Sequence, residues 1–229
     1  STYKQYGYTW EYKSFEQLNR KITDILVEDI FKQKLIELNP EIAAKPERVD
    51  EVLYKLRSVI ASVESEGLVK ANEEFARWLT GNKTMPFGEN NQHTTVRLID
   101  FEDISNNSYI VTNQYTVQGS FEKRPDIVML INGIPVIVGE LKTPVRPSIS
   151  WLDGATDIHD DYENSIPALF VPNIFSFATE GKTYRYGSVR MPLEMWGTWK
   201  TEESKQKGTS LKEIDAALDD QLRPEVLLD

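Results

Sequence analysis

The chain has 229 residues, 40% of them hydrophobic and 10% aromatic, with no cysteine and a formal net charge of −10. That length and composition support a packed core rather than a disordered chain, in one large domain or one domain with an appendage. The lack of cysteine excludes disulfides, thiolate zinc sites and cysteine nucleophiles, no apolar run nears the roughly 20 residues of a membrane span, and the acidity argues against a stand-alone nucleic-acid binder without excluding a local site.

Taken in order, residues 1–13 form a tyrosine-rich segment with Trp10, expected to pack on the fold as a terminal piece. There is no secretory apolar stretch, and a start without methionine suggests a trimmed chain; a reducing cytoplasm is the expected location. Ser14 with Gln17 makes a capping-box pattern, and Phe15, Leu18, Ile22, Ile25 and Leu26 follow helical spacing, predicting a first helix to about Glu37 that Asn39-Pro40 stops. A second helix is expected over about 46–65, with Val49, Val52, Leu53, Leu56, Ile60 and Val63 on one face. A third covers 68–79 and buries Ala71, Phe75, Trp78 and Leu79. Glu74 borders that stripe and is a candidate site carboxylate or a flanking surface group, whereas Glu73 stands four residues from Arg77 as in a solvated ion pair.

From Thr94 the pattern turns to strands, expected over 96–101 and 109–118 with a polar turn between them. Two β-branched runs then flank Asn132-Gly133, the pair favoured by a type I′ hairpin turn because both central residues need positive φ. After the breakers Thr143-Pro144 and Pro147, Ser150 and Asp153 are set to cap a helix with Trp151, Ala155, Ile158 and Tyr162 inward, ended by Pro167. Residues 168–171 read as an apolar central strand, and 175–179 and 183–186 as two short strands across a Glu-Gly turn. Residues 200–210 form a polar linker, followed by a helix near 211–222 and an apolar end that suggests the chain continues. This order predicts an α/β fold with a mixed central sheet flanked by helices, divided as an N-terminal helical part at 1–92, a core at 93–199, and a linker with the start of a further connection at 200–229.

The chemistry concentrates on the hairpin. Folding at Asn132-Gly133 brings Asp126, at the start of the first strand, towards Glu140, at the end of the second, and Lys142 follows two residues later on the same face as Glu140. Two carboxylates suit a hard divalent cation such as Mg2+, with the Leu141 carbonyl as a further oxygen ligand. Lys142 would then orient or deprotonate a water or neutralise a phosphate, which suits phosphodiester hydrolysis.

Pro125-Asp126 followed by Glu140-Leu141-Lys142 resembles the PD-(D/E)xK nuclease signature. The surrounding segments 139–144, 166–170 and 183–188, Asn173 and Tyr162, together with the terminal Leu-x-Pro-x-x-Leu-Leu-Asp, resemble the N-terminal nuclease domain of the type I restriction enzyme R (HsdR) subunit. The resemblance covers about 66–229 and implies a restriction-endonuclease-like fold and a Mg2+-dependent endonuclease of double-stranded DNA. It further implies a longer chain with an ATP-driven translocase, ATP being bound outside this segment, docked on methyltransferase and specificity subunits. By the same resemblance Asp126 and Glu140 hold the metal, Lys142 is catalytic, and Tyr162 is auxiliary. That family usually places a glutamine four residues before the tyrosine, where this chain has Ile158, so the helix's polar role would fall to Asp157 or His159, or be missing. The alternative is a weakened nuclease fold that docks a motor on its partners; a repair nuclease of the same fold is a third reading.

Other signals carry less. Glu180-Gly-Lys-Thr183 copies the end of a phosphate-binding loop but precedes a strand-like run instead of a helix. His93 and His159 lack zinc-site spacing, and no Gly-x-Ser-x-Gly elbow occurs. Lys123, Arg124, Arg146, Lys182, Arg185 and Arg190 are candidate contacts to a DNA backbone, and nothing resembles a base-reading module.

Overall fold

In the computed structural model, the description covers residues 10–143, 145–146, 148–199 and 211–229, so the expected linker at 200–210 and the first nine residues lie outside it. The fold is a mixed sheet of six strands flanked by helices. Its strands are β1 (Glu11–Tyr12), β2 (Tyr109–Asn113), β3 (Ile127–Ile131), β4 (Ile134–Leu141), β5 (Phe175–Thr179) and β6 (Tyr184–Gly187), and they lie side by side in that order. The β2–β3, β3–β4 and β5–β6 pairs are antiparallel, while β1–β2 and β4–β5 are parallel. β4 is buried along its whole length as far as Glu140, as expected of a central strand covered on both faces.

The hairpin turn forms as its sequence requires. Asn132 (φ 52°) and Gly133 (φ 79°) both take the left-handed conformation of a type I′ turn. The turn is also a hub: Asn132 Nδ2 donates to the Leu98 carbonyl (2.9 Å) and to Asn107 Oδ1 (2.8 Å), and its Oδ1 accepts from the Ser108 amide (2.8 Å). The Gly133 carbonyl accepts from the Val27 amide (2.8 Å), which starts helix α1 (Glu28–Leu38) against the end of the hairpin.

Helices α2 (Arg48–Ala61) and α3 (Leu68–Leu79) follow, with α2 packed on both α1 and α3, and α3 matches its expected span. α2 is shorter than expected, because Gly67 (φ 83°) and a break at Ser62 set off a separate turn, Val63–Glu66. The last helix, Leu211–Gln221, also forms where expected, with Trp10 Nε1 donating to the Leu222 carbonyl (2.6 Å).

Four expectations fail, each because side chains or tight turns satisfy backbone groups that a regular element would have used. The first helix does not begin at Ser14: Phe15–Leu18 is a single 3-10 turn, ended by Asn19 at φ 47°. Beyond it the carbonyls of Ile22, Asp24 and Ile25 accept from the Gln118 amide, the Arg20 guanidinium and the Tyr115 hydroxyl, so no helical ladder forms until α1. Residues 96–101 are buried at Val96, Leu98 and Ile99 but form no strand. Asn39 brackets the Arg97 backbone at both amide and carbonyl (2.8 Å each), and Asn107 and Asn132 hold Asp100 and Leu98. The apolar run at 168–171 is not a strand either, because Pro167 takes the first position of a helical turn, Pro167–Phe170. The carbonyls of Phe170, Val171 and Asn173 then accept from Asn72 Nδ2 on α3, and β5 is the strand that lines β4. The expected long strand over 109–118 is split as well, since Gln114 (φ 53°) ends β2 and Val117–Gln118 pairs instead with Glu122–Lys123.

A methyl group at Gly133 would lie 2.6 Å from the Val27 carbonyl and 2.9 Å from the Phe31 amide. Gly133→Ala therefore meets both the left-handed penalty and fixed backbone, and should lower the unfolding free energy by about 2 kcal/mol or more. Urea denaturation of the two proteins checks this.

Candidate active site

Asp126 and Glu140 meet because the hairpin is irregular. Next to the turn, Ile131 faces Ile134 and Leu130 faces Pro135, but farther on Met129 faces Ile137 and Ile127 faces Gly139. Val136 is the extra residue, a bulge directly after Pro135. The shifted register carries on to set Asp126 opposite Glu140, on one face of the sheet; the unshifted register would have set Asp126 opposite Gly139 and turned Glu140 to the other face.

The contacts agree with that register. The Leu141 amide donates to Asp126 Oδ2 (3.0 Å), and the Asp126 amide lies 3.4 Å from Glu140 Oε2. Gln114 Nε2 donates to Asp126 Oδ1 (3.1 Å), and the Gln114 amide donates to the Asp126 carbonyl (3.0 Å). Lys142 Nζ donates to Glu140 Oε1 (3.3 Å) and to Asp157 Oδ2, and the Tyr162 hydroxyl lies 3.4 Å from Glu140 Oε1. Asp126, Glu140, Lys142, Tyr162 and Asp157 therefore form one connected group.

The helix that closes the site is α4 (Trp151–Thr156), capped as expected by Ser150, whose hydroxyl accepts from the Leu152 amide. α4 comes close because Gly154 has no side chain: a methyl group there would touch Glu140 and Ala178 at 3.3–3.4 Å. It continues into a π-helical segment, Asp157–Tyr162. Ile158 is completely buried in the core and takes no part in the site. His159 turns to Asp160 (Nδ1–Oδ1 2.6 Å).

Glu140 is buried, at 5% exposure, at a strand end whose last residue, Leu141, is 45% exposed. Burial first, and then the neighbouring Asp126 charge, push the Glu140 carboxyl up to about 6 against the opposing pull of Lys142. Burial favours a neutral Lys142, but Asp157 and Glu140 outweigh it and hold the ammonium above its ordinary range. The Tyr162 hydroxyl is raised by burial and by the same carboxylates, so it stays protonated.

Glu74 stands elsewhere, paired with Lys83 (2.5 Å) and Arg77 (3.7 Å) on α3, and among the described residues no contact joins it to this group. Among the basic candidates, Lys123 is bound to Asp161 (2.7 Å) and Arg190 to Glu163 and Asn164, while Arg185 lies over the Trp151 ring at 5.5 Å. Arg124, Arg146 and Lys182 are exposed. Lys182 sits in the β5–β6 turn, with no helix after it to face a nucleotide phosphate.

The residues that pattern reading missed are Gln114 and the Glu163–Arg190 clasp. Gln114 carried a signal only in hindsight, as a polar residue ending a strand run. Glu163 follows Tyr162 and is buried; its carboxylate accepts from the Arg190 amide (3.1 Å), and Arg190 Nη2 donates to the Glu163 carbonyl (3.2 Å).

The donor set fits a divalent cation. Asp126 and Glu140 present hard oxygens side by side, the Asp126 charge adds to burial in raising the Glu140 carboxyl, and one or two carboxylates with several waters are what Mg2+ usually takes. Among the described residues no cluster of three or more His, Cys, Asp or Glu offers a fuller cage.

The model of a family described as type I restriction enzyme R protein N terminus matches residues 2–194. The chain is 28% identical over 237 aligned positions to the type I restriction enzyme HindI endonuclease subunit of Haemophilus influenzae, covering 96% of this chain and 22% of that protein. It is 26% identical to a Methanocaldococcus jannaschii protein assigned as the type I restriction enzyme MjaIXP endonuclease subunit, over 88% of this chain and 20% of that protein. The chain thus spans about a fifth of the length of these curated relatives.

Burial raises Glu163 to about 7, against the pull of the Arg190 amide and charge. Because its folded pKa exceeds the ordinary value of 4.5, the native chain keeps a proton that the unfolded chain releases, so this contribution to stability is complete below 4.5 and is lost as pH rises through about 7. Glu163→Gln, uncharged throughout, should gain on the wild type by up to about 3 kcal/mol between pH 5 and 8, measured by urea denaturation. Parallel pH profiles for the two proteins would contradict this assignment.

Proposed function

The chain belongs to the type I restriction enzyme R protein N-terminus family, and from that premise we propose that its Asp126–Glu140–Lys142 group is the cutting centre of a Mg2+-dependent DNA endonuclease. The observation that carries this reading is the convergence of the two carboxylates and the lysine at one end of the two central strands, produced by the bulge at Val136. Asp126 and Glu140 would hold the cation, with the Leu141 carbonyl as the nearby backbone oxygen. A cation bound there supplies charge neutralisation at a phosphodiester oxygen and activation of a water.

The chain's own groups do the rest. Lys142, held as an ammonium between Glu140 and Asp157, is placed as a donor to the phosphate or to the attacking water rather than as a base. Tyr162, with its hydroxyl near Glu140 Oε1, limits where that carboxylate can turn. Gln114 fixes the other carboxylate by donating to Asp126 Oδ1. Exposed Arg124, Arg146 and Lys182 are suited to the sugar-phosphate backbone, whose recognition carries no sequence information.

On this reading, double-stranded DNA is the substrate, cutting has no sequence preference of its own, and ATP is used by a motor outside this segment. Methyltransferase and specificity subunits are the expected partners, and the working compartment is the cytoplasm. No helix among the described residues is long and apolar enough to cross a membrane.

Asp126→Ala, Glu140→Ala and Lys142→Ala in the complete enzyme should each reduce plasmid cutting with ATP and Mg2+ by a factor of about 1,000 or more, while ATP hydrolysis continues. Full cutting by any of the three would remove that residue from the site. A wild-type enzyme that translocates DNA without ever cutting it would instead favour a docking role for this domain.

A further inference from the structure

The carboxylate that reaches Lys142 from the segment after α4, Asp157, does not come from the position a regular helix would offer. In an α-helix the residue four before Tyr162 stands beside it on the same face, and here that residue is the fully buried Ile158. The segment Asp157–Tyr162 is π-helical: the Glu163 amide returns to the Ile158 carbonyl, five residues back. One extra residue in the turn moves the neighbour of Tyr162 back by one place, from Ile158 to Asp157. Asp157 does reach Lys142 Nζ, while Tyr162 reaches Glu140 from the same side. At the same time Ile158 keeps its core position.

We propose that Asp157 is a positioning residue for Lys142, delivered by this π turn, and that it acts by drawing the ammonium away from Glu140. Lys142 Nζ has carboxylates on two sides, Glu140 Oε1 at 3.3 Å and Asp157 Oδ2. Without Asp157 the ammonium has Glu140 alone, and it closes on the oxygen that a cation would use. The Asp157 side chain is 44% exposed, so the fold does not depend on its burial. A surface ion pair of that exposure would add little to stability, which leaves the placement of Lys142 as its consequence.

The inference rests on the nuclease reading above, and the test separates the two. In the complete enzyme, Asp157→Ala should slow DNA cutting by about tenfold to hundredfold. It should also raise the Mg2+ concentration needed for half-maximal rate, with an unchanged Tm. Asp157→Glu, which restores a carboxylate, should recover most of the rate and the wild-type Mg2+ requirement. If Asp157→Ala lowers Tm, Asp157→Asn, of nearly the same shape, is judged by the same criteria. An alanine variant that cuts within twofold of the wild type overturns the proposal. So do alanine and glutamate variants that are equally slow at an unchanged Mg2+ requirement, because that pattern marks a merely structural role. Asp126→Ala run alongside identifies which idea fails: if it too cuts normally, the nuclease reading is wrong, and if it alone is inactive, only the role of Asp157 is.

Discussion

One residue decides on which face of the sheet Glu140 stands. The hairpin is pinned at its tip by Asn132-Gly133, and from that tip a regular ladder would carry Asp126 and Glu140 to opposite faces. Val136, inserted opposite the Met129–Leu130 step, shifts the count by one and brings both carboxylates to the face that α4 covers. The insertion is also held from outside, since the Val136 carbonyl accepts from the Ile174 amide (2.7 Å) at the entry to β5. Because a side-chain period of two makes facing an all-or-none property, no adjustment of rotamers could replace the bulge.

The same device recurs on the opposing element. In the Asp157–Tyr162 segment the extra residue lies in a helix, and it lets Ile158 stay in the core while Asp157 and Tyr162 meet the site. Two irregularities, one in a strand and one in a helix, thus aim polar groups at a point that the buried face of each element would otherwise fill with apolar side chains. The result is electrostatically unfinished. Burial, and after it the neighbouring Asp126 charge, raise the Glu140 carboxyl to about 6. A divalent cation bound there, as proposed, would relieve the repulsion between the two carboxylates.

Local patterns gave the hairpin, its turn residues, α3, the capped start of α4 and the antiparallel β5–β6 pair, because each depends on residues close in sequence. Elements went wrong where distant side chains took over the backbone: Asn39, Asn107 and Asn132 replaced a strand partner for 96–101, and Asn72 held the 168–173 turn. Arg20, seated on the Tyr115 ring at 3.8 Å, tied down the stretch that looked like the start of a helix. At the site, Asp126, Glu140, Lys142 and Tyr162 were legible as residues, and so was the meeting of the first three at the hairpin, but not the bulge that produces it. Pro135 inside a strand run was the signal for the bulge, since a proline amide cannot join a central ladder. The π turn had a weaker sign, an aliphatic residue where the helix needed a polar one with an aspartate just before it.

The most direct measurement is a crystal structure of the protein soaked in Mn2+, read by anomalous scattering. The account predicts one strong peak within about 2.3 Å of an oxygen from each of Asp126 and Glu140, beside a Lys142 held by Asp157. Carboxylates on opposite faces of the sheet, or a peak that touches neither of them, would contradict it.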